Sequence, residues 1–358
     1  EAAWPAADVV VGNPPFLGGS KKRGELGDGY FDALNRVYDG HVPGGADLVC
    51  YWFHKAHQHI TQGQLQRAGL VTTQAIRAGS NRKVLDAICN DSRIFDAWSD
   101  EPWVNEGAAV RVSLVCFGGQ TASAFLNGEA VSRIHADLTA GEGLNLTQAQ
   151  ALAENANASF KGPEKTGAFD IPGPCARQWL QLPNPNGRPN SDVLLPWCNG
   201  SDVTSRTTDT WIIDFGVSTP LTDASLYERP FEHVQTLVKP ERLKNNDRGR
   251  RENWWRFGRN GADMRVATQH LARLIITPRV AKHRLFVWLS QPVSPDSRLF
   301  VIARADDTTF GILSSRVHEL WSLAQASMHG VGNDPTYNAK SCFETFPFPA
   351  GLTPADTA

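Results

Sequence analysis

Short apolar runs alternate with amphipathic stretches over the first third of the chain. The pattern predicts three strands and two helices: strands Val9–Val11, Leu70–Thr73 and Val110–Phe117, and helices Asp47–Ile60 and Val84–Asn90. The last of these strands is expected to be buried, and it ends at two glycines. Strands that alternate with helices predict an α/β layer fold for residues 1–120.

The pattern changes twice further along the chain. Residues 121–170 are rich in Ala, Asn and Gln and contain one predicted helix, Leu144–Glu154, so we expect a helical connector. From residue 171 onwards proline and glycine become frequent, and the apolar runs are short and rich in tryptophan. This composition predicts a second domain of α+β character over residues 171–358.

Composition excludes several protein classes. A chain of 358 residues can form two domains with separate cores, and 41% hydrophobic residues is ordinary for a globular protein. No apolar run reaches membrane-spanning length and no signal peptide is visible. The six cysteines lack paired spacing, which argues against a zinc site or a disulfide framework and favours a cytoplasmic location. We therefore expect no metal and no membrane contact.

Positive charge is concentrated in one segment, although the net charge of the chain is −2. Residues 239–284 carry thirteen Lys and Arg against four Asp and Glu, with tryptophan and phenylalanine between them. Such a segment suits contact with DNA phosphates, or else it is a solvated helical face. The predicted DNA contacts here are Arg248, Arg250, Arg251, Arg279, Lys282 and Arg284. A glycine-rich basic loop over residues 18–24 adds Lys21 and Lys22.

The most informative motif is Asn13-Pro14-Pro15-Phe16, which directly follows the first predicted strand. An amino group on an aromatic ring is a poor nucleophile because its lone pair is delocalised into the ring. The side-chain oxygen of Asn13 and a carbonyl of the diproline could accept its two protons and localise that pair. Both prolines fix φ, so these acceptors would be held in place in advance. Phe16 offers a stacking face, and the alternative is a strand-ending turn with a packed phenylalanine.

Several further segments follow the motif in a fixed order. They are Ala46–Phe53, Ala68–Gln74, Asn105–Phe117, Trp211–Gly216, Thr277–Arg284 and Cys342–Pro349. With the motif, these segments resemble the γ-type adenine-N6 DNA methyltransferases of restriction–modification systems, of the type IIG/IIL, MmeI-like kind. The resemblance covers nearly the whole chain. It implies the second half of a Rossmann-like methyltransferase sheet, followed by an α+β target recognition domain.

The resemblance also implies a reaction and its partners. S-adenosylmethionine would donate a methyl group to N6 of a flipped adenine in double-stranded DNA, and Asn13 to Phe16 would hold that base. Asp47 and Tyr51 would lie near the cofactor. In the family the main cofactor motif precedes Asn-Pro-Pro-Phe, so we expect it upstream of Glu1, with a possible nuclease domain in the same parent chain.

Two other functions fit part of the sequence. Related turns also serve the methylation of a protein glutamine or an RNA base, although the long Arg- and Trp-rich second domain favours DNA. The chain could instead be a DNA-recognition module, or a truncated remnant, that binds DNA without methylating it.

Overall fold

The structure is a computed structural model. It describes residues 4–19, 21–105, 108–119, 123–140, 149–326, 328–329 and 334–357. The chain forms two compact units: Glu1–Ala149 with Ser327–Asn333, and Gln150–Ala326 with Asp334–Ala358. The division at residues 120 and 170 that the sequence predicts, into a catalytic part, a connector and a recognition domain, stays a prediction.

The first unit alternates strands and helices, as predicted. Its elements are β1 (Val9–Gly12), α1 (Lys22–Leu26), α2 (Asp28–Val37), α3 (Cys50–Thr61), β2 (Arg67–Thr73), α4 (Gly79–Asp91), β3 (Arg93–Asn105), β4 (Ala108–Gly118), β5 (Ala124–Leu126) and β6 (Glu129–Val131), with a 3-10 turn at Gln74–Arg77. The three predicted strands are confirmed as β1, β2 and β4, and the two predicted helices as α3 and α4. Helix α3 begins three residues later than predicted, because Asp47 to Val49 form a turn.

One six-stranded sheet organises this unit, in the order β1-β2-β4-β3-β5-β6. Strands β1 and β2 are parallel, with Gly12 opposite Leu70, so their carboxyl ends meet at the same edge. Strand β4 is antiparallel to both of its neighbours, β2 and β3. The motif that follows β1 is thereby placed at the edge where parallel α/β sheets bind ligands.

The two faces of this sheet differ. One face is buried against α3 and α4, where the ring of Phe53 stacks on Phe117 at 5.7 Å between centroids. On the other face Val9 is 52% exposed and Val11 is 82% exposed. Val11 and Trp98 line an apolar hollow of about 300 Å³ on this face. The sheet therefore presents apolar surface to solvent on one side.

The second unit contains many short elements. They are β7 (Ser159–Lys161), β8 (Asp170–Pro172), α5 (Gly173–Trp179), β9 (Leu194–Cys198), α6 (Gly200–Thr204), β10 (Thr210–Ile213), α7 (Leu221–Ala224), α8 (Glu228–Leu237), α9 (Lys239–Leu243), α10 (Arg248–Glu252), α11 (Ala262–Thr268), β11 (Arg273–Pro278), β12 (Val287–Ser290), β13 (Ser294–Pro295), β14 (Leu299–Ile302), α12 (Asp307–Leu313) and α13 (Arg316–Gln325). The strand β16 (Asp334–Pro335) also belongs to this unit, whereas β15 (Met328–His329) falls in the segment assigned to the first unit. In the second unit, 3-10 or π turns occur at Ala153–Asn155, Asn190–Asp192 and Ala339–Phe343.

Two four-stranded sheets form the framework of the second unit, in the orders β13-β9-β10-β8 and β12-β11-β14-β7. This mixture of short strands and helices confirms the predicted α+β character. The helix predicted over Leu144–Glu154 is different: residues 144–148 lie outside the described ranges, and only the 3-10 turn at Ala153–Asn155 is helical in the remainder. Leu152 has an extended backbone, and its N–H donates to the carbonyl of Glu344 at 2.8 Å instead of to a carbonyl one helical turn earlier.

None of the helices in the described ranges has the length and apolar character that crossing a bilayer requires.

A buried histidine lies in the core of the second unit. His318 is fully buried, and its Nε2 lies 3.0 Å from the hydroxyl of Tyr337. Its Nδ1 has no hydrogen-bond partner among the described residues. Burial, with a smaller contribution from the positive charge of Arg284, lowers the pKa of His318 to about 3. The imidazole is therefore neutral in the folded protein at physiological pH.

This histidine makes stability depend on pH. Between its unfolded pKa, about 6.5, and its folded pKa, the unfolded chain binds a proton that the folded chain does not. The free energy of unfolding should therefore fall as the pH is lowered through that window, by up to about 1.4 kcal/mol per pH unit. Denaturant titrations at pH 7 and pH 5 measure the slope. The variant His318→Gln should lose this part of it, and an unchanged slope would contradict the assignment.

Candidate functional site

The Asn-Pro-Pro-Phe turn leaves the first sheet at the carboxyl end of β1. Asn13 and Pro15 are exposed, Pro14 is buried and Phe16 is half-buried. Within the described ranges, no hydrogen bond is made by the Asn13 side chain or by the Pro14 carbonyl oxygen. The turn thus presents an unengaged amide oxygen, an unengaged carbonyl and a partly open ring at one edge of the sheet.

The loop after this turn is fixed by the segment that precedes α3. The backbone N–H of Gly19 donates to Oδ1 of Asp47 at 2.8 Å, and the N–H of Leu48 donates to the carbonyl of Leu17 at 2.8 Å. A Cβ at position 19 would overlap the carbonyl oxygen of Gly45, so only glycine fits there. These contacts hold the chain that follows Phe16 against the start of α3.

Asn81 extends this support to the neighbouring strand end. Its Oδ1 accepts the backbone N–H of Asp47 at 2.7 Å, and its Nδ2 donates to the carbonyl of Ala75 at 3.3 Å. Ala75 lies in the 3-10 turn that follows β2. One buried amide therefore joins the Asp47 segment to the end of the strand parallel to β1. The sequence carries no signal for Asn81, because its role depends on partners 6 and 34 residues away.

A second buried group lies behind the same loop. Nζ of Lys22 donates to the hydroxyl of Tyr51 at 3.1 Å, and that hydroxyl donates to Oδ1 of Asn35 at 3.4 Å. Lys22 is fully buried and Tyr51 is 4% exposed. Burial lowers the pKa of the Lys22 ammonium and raises the pKa of the Tyr51 phenol. The hydroxyl of Tyr51 is thus engaged within the fold.

Two interpretations of the sequence change here. The basic loop predicted over residues 18–24 is wrong beyond residue 21, because α1 begins at Lys22. Lys22 is buried because its apolar stem and ammonium lie beside the rings of Tyr51 and Phe31. A buried ammonium cannot reach a phosphate in this conformation, so we withdraw Lys22 from the predicted DNA contacts. Lys21 is exposed.

The basic segment 239–284 serves the fold more than its composition suggests. Six of its arginines donate side-chain hydrogen bonds of 3.1 Å or less to backbone carbonyls of the second unit: Arg242, Arg251, Arg256, Arg265, Arg273 and Arg284. Buried carbonyls that lack a ladder partner need such donors. Nearly half of the positive charge in this segment therefore stabilises the second unit.

Arg284 is a predicted DNA contact that the structure places elsewhere. Its guanidinium donates to Oγ1 of Thr277 at 3.0 Å and to the carbonyl of Pro335 at 3.1 Å, and it lies 5.0 Å from the ring centroid of Tyr337. Burial lowers the pKa of this guanidinium. Because its guanidinium donates its hydrogen bonds within the fold, we withdraw Arg284 from the predicted DNA contacts.

The other residues predicted to contact DNA differ in how exposed their side chains are and in whether they already have partners within the fold. Arg248, Arg279 and Lys282 are exposed, although Arg248 is ion-paired with Glu252 at 2.7 Å. Arg250 is half-buried and lies 3.8 Å from Asp247, and Arg251 donates to two carbonyls in the preceding loop. Their contact with DNA stays a prediction.

No group of three or more metal-ligating side chains comes together within the described ranges.

The comparisons with known proteins agree with this arrangement. Residues 5–127 match the family model described as MmeI, DNA-methyltransferase domain. This match confirms, for that part of the chain, the resemblance to restriction–modification methyltransferases. No curated protein sequence gives a significant match.

Two solved structures extend the comparison. A structure of the Type IIL restriction-modification enzyme MmeI in complex with DNA matches 95% of this chain, with a TM-score of 0.76 and 19% sequence identity. At this identity the match establishes the fold alone, which confirms the predicted α/β sheet followed by an α+β region. The chain spans only 46% of that MmeI chain. The type IIG restriction endonuclease BpuSI matches with 11% identity over 96% of this chain and 47% of its own, and its TM-score of 0.30 supports no argument.

Proposed function

We propose that this chain is part of a site-specific DNA methyltransferase of a restriction–modification system, which methylates N6 of an adenine flipped out of the duplex. The observation that carries the proposal is the unengaged carboxamide of Asn13, exposed at the carboxyl end of β1 and followed by two prolines and Phe16. The match of residues 5–127 to a DNA-methyltransferase domain supports the same class.

The turn suits an aromatic amine for electronic reasons. Oδ1 of Asn13 and the carbonyl of Pro14 would each accept one proton of the amino group, which draws the lone pair back onto nitrogen. The acceptors need no reorganisation, because Pro15 restricts Pro14 and both prolines fix φ. The nitrogen would then take the methyl group as the carbon–sulfur bond of the sulfonium donor breaks and a neutral thioether leaves. The nitrogen would lose one proton, either to water or through the Asn13 and Pro14 oxygens.

Phe16 would recognise the base by its face. Phe16 is half-buried, and it follows the exposed Asn13 by three residues in the turn. A base within a duplex cannot reach such a position, so the target nucleotide would be extruded before reaction. Stacking on an aromatic ring stabilises an extruded base by about 1–3 kcal/mol.

S-adenosylmethionine supplies an electrophilic methyl group when it is bound. Of the two predicted cofactor contacts, Asp47 fits this role: it is half-buried, and only its Oδ1 is engaged within the described ranges. The free Oδ2 could accept a hydroxyl or ammonium proton of the cofactor. Tyr51 fits less well, because its hydroxyl already bonds Lys22 and Asn35. Its ring remains a candidate for packing near the site.

We further propose that the main cofactor site lies on a segment outside these 358 residues. The exposed apolar face of the first sheet, with Val9, Val11 and Trp98, supports this because apolar sheet faces are normally covered. The second unit would contact double-stranded DNA through its exposed cations. The protein would act in the cytoplasm, and a nuclease domain in the same polypeptide remains part of the proposal.

The test is methyl transfer from labelled S-adenosylmethionine to duplex DNA, RNA and a glutamine-containing protein, with nucleoside analysis of the product. We expect N6-methyladenine in DNA from the full-length protein. Calorimetric titration should show cofactor binding to that protein and little or none to the 358-residue chain.

Other outcomes would contradict parts of the proposal. Methylation confined to RNA or protein would overturn the substrate, and another methylated base would overturn adenine N6. Tight cofactor binding by the 358-residue chain would place the main site within it. DNA binding by the full-length protein without methylation of any substrate would favour a recognition module.

A further inference from the structure

Two arginines face each other where strands β11 and β14 meet. The antiparallel register of these strands pairs Pro278 with Leu299. The backbone N–H of Arg279 donates to the carbonyl of Arg298 at 2.8 Å, which extends the pairing by one residue beyond that point. Residues directly opposite in an antiparallel pair point to the same side, with Cβ atoms about 5 Å apart. Arg279 and Arg298 are therefore cross-strand neighbours.

Their charges are not neutralised by ion pairs. Both side chains are exposed, and neither has an ion-pair partner in the described part of the chain. Nη1 of Arg279 makes one long contact, 3.4 Å, to the carbonyl of Ser297. The adjacent acid, Asp296, is buried and its Oδ1 accepts the backbone N–H of Arg298 at 2.7 Å. Like charges directly opposite each other destabilise a strand pair, so this arrangement costs stability in the free protein.

The backbone beneath the two arginines is held by other groups. Arg284 donates to the carbonyl of Pro278, and the N–H of Tyr337 donates to the carbonyl of Arg279 at 2.7 Å. Lys282, in the same turn, is exposed as well. The turn is thus fixed without using the guanidinium of Arg279 or the ammonium of Lys282. An anion-binding site requires a fixed backbone and cationic side chains that are not engaged elsewhere, and this turn has both.

We propose that Arg279 and Arg298 form a clamp for one phosphate of the DNA backbone, with Lys282 adding positive charge beside it. This rests on the proposed DNA-binding function and identifies the residues that position the duplex. Two guanidinium groups about one strand spacing apart can both donate to a single phosphate. Arg298 lies outside the basic segment, and only the pairing of β11 with β14 brings it beside Arg279.

The test compares Arg279→Gln, Arg298→Gln and the double variant of the full-length protein in DNA-binding titrations at several salt concentrations. We expect the double variant to lose about tenfold in affinity for every duplex tested, and the slope of log affinity against log salt to fall by about 1. The matched control is Arg316→Gln, which removes another exposed arginine, one that is already ion-paired with Glu319 at 2.6 Å. It should leave both quantities unchanged.

A stability measurement tests the clamp without DNA. We expect the double variant to melt at the same temperature as the wild type or higher, because the repulsion is removed. Replacing chloride by inorganic phosphate at equal ionic strength should raise the melting temperature of the wild type more than that of the double variant. If the wild-type protein bound no DNA, the proposed function would be overturned. The effect of inorganic phosphate on the melting temperature would still show whether Arg279 and Arg298 bind a phosphate together.

Three results would overturn the clamp. One is an unchanged salt slope together with an equal phosphate effect in the wild type and the double variant. Another is a loss of affinity confined to particular sequences, which would assign the two arginines to base recognition. The third is a lower melting temperature of the double variant without DNA, which would make the pair structural.

Discussion

Replacing Asn13 by alanine is expected to lower the rate of methyl transfer by about 10²–10³-fold, the usual loss when one pre-positioned polar group of a reaction site is removed. The variant keeps the Pro14 carbonyl but loses the acceptor that the side chain provides. The measurement is the single-turnover rate of label transfer to duplex DNA by the full-length protein. An unchanged rate would mean that the turn is not the reaction site.

Two controls separate this loss from a folding defect. The Asn13 side chain is exposed and forms no hydrogen bond within the described ranges, so the variant should keep its melting temperature and bind DNA within a few fold of the wild type. Asn13→Asp retains an acceptor oxygen and should lose less activity than Asn13→Ala. Loss of DNA binding in parallel with methylation would instead make the turn structural.

Replacing Arg242 by alanine is expected to lower the free energy of unfolding of the second unit by about 3 kcal/mol or more. Arg242 is 3% exposed and donates to the carbonyls of Thr166, Lys165 and Arg256 at 2.9, 2.8 and 3.2 Å. Each of these partly buried acceptors would lose a charged donor, and hydrogen bonds to charged groups contribute about 1.5–3 kcal/mol each. Denaturant unfolding followed by tryptophan fluorescence measures the change.

The control for Arg242 lies in the same basic segment. The side chain of Arg248 is 81% exposed and meets Glu252 only at the surface. Exposed ion pairs contribute little, so Arg248→Ala should change the unfolding free energy by less than about 1 kcal/mol. If Arg242→Ala and Arg248→Ala had the same free energy of unfolding, the hydrogen bonds assigned to the Arg242 guanidinium would be wrong.

The first unit could be predicted from sequence wherever local pattern decides structure. The runs that became β1, β2 and β4 are short and apolar, and their periodicity is visible without a partner. Strand β3 was missed because polar residues interrupt its apolar ones and its pairing with β4 is irregular after Ile94 and Trp98, which breaks the alternation of side chains. A strand of this kind is recognisable only beside its neighbour.

The candidate site divides in the same way. Asn13 to Phe16 could be proposed as the reaction site because the motif consists of four adjacent residues, and this role stays a prediction. The roles of the arginines could not be predicted from the density of positive charge. Arg242 and Arg284 donate hydrogen bonds to backbone carbonyls that are distant in sequence, so the neighbouring residues do not indicate these contacts. Lys22 was assigned to solvent for the same reason, since its burial depends on Tyr51, 29 residues away. The sequence shows how many charged residues a segment contains, whereas only the folded structure shows which charged side chains are not engaged within the fold.

The bare side of the first sheet has a practical consequence for anyone who purifies this chain. β1 is an edge strand of the first sheet, and its residues Val9 and Val11 are exposed to solvent. Exposed apolar edge strands tend to pair with other chains. Concentrated stocks of the isolated polypeptide would self-associate through β1, and oligomers carrying several copies of the second unit would raise, by avidity, the apparent affinity in any test of the DNA contact that we propose. Reliable affinities for this chain therefore call for dilute samples, with light scattering recorded alongside.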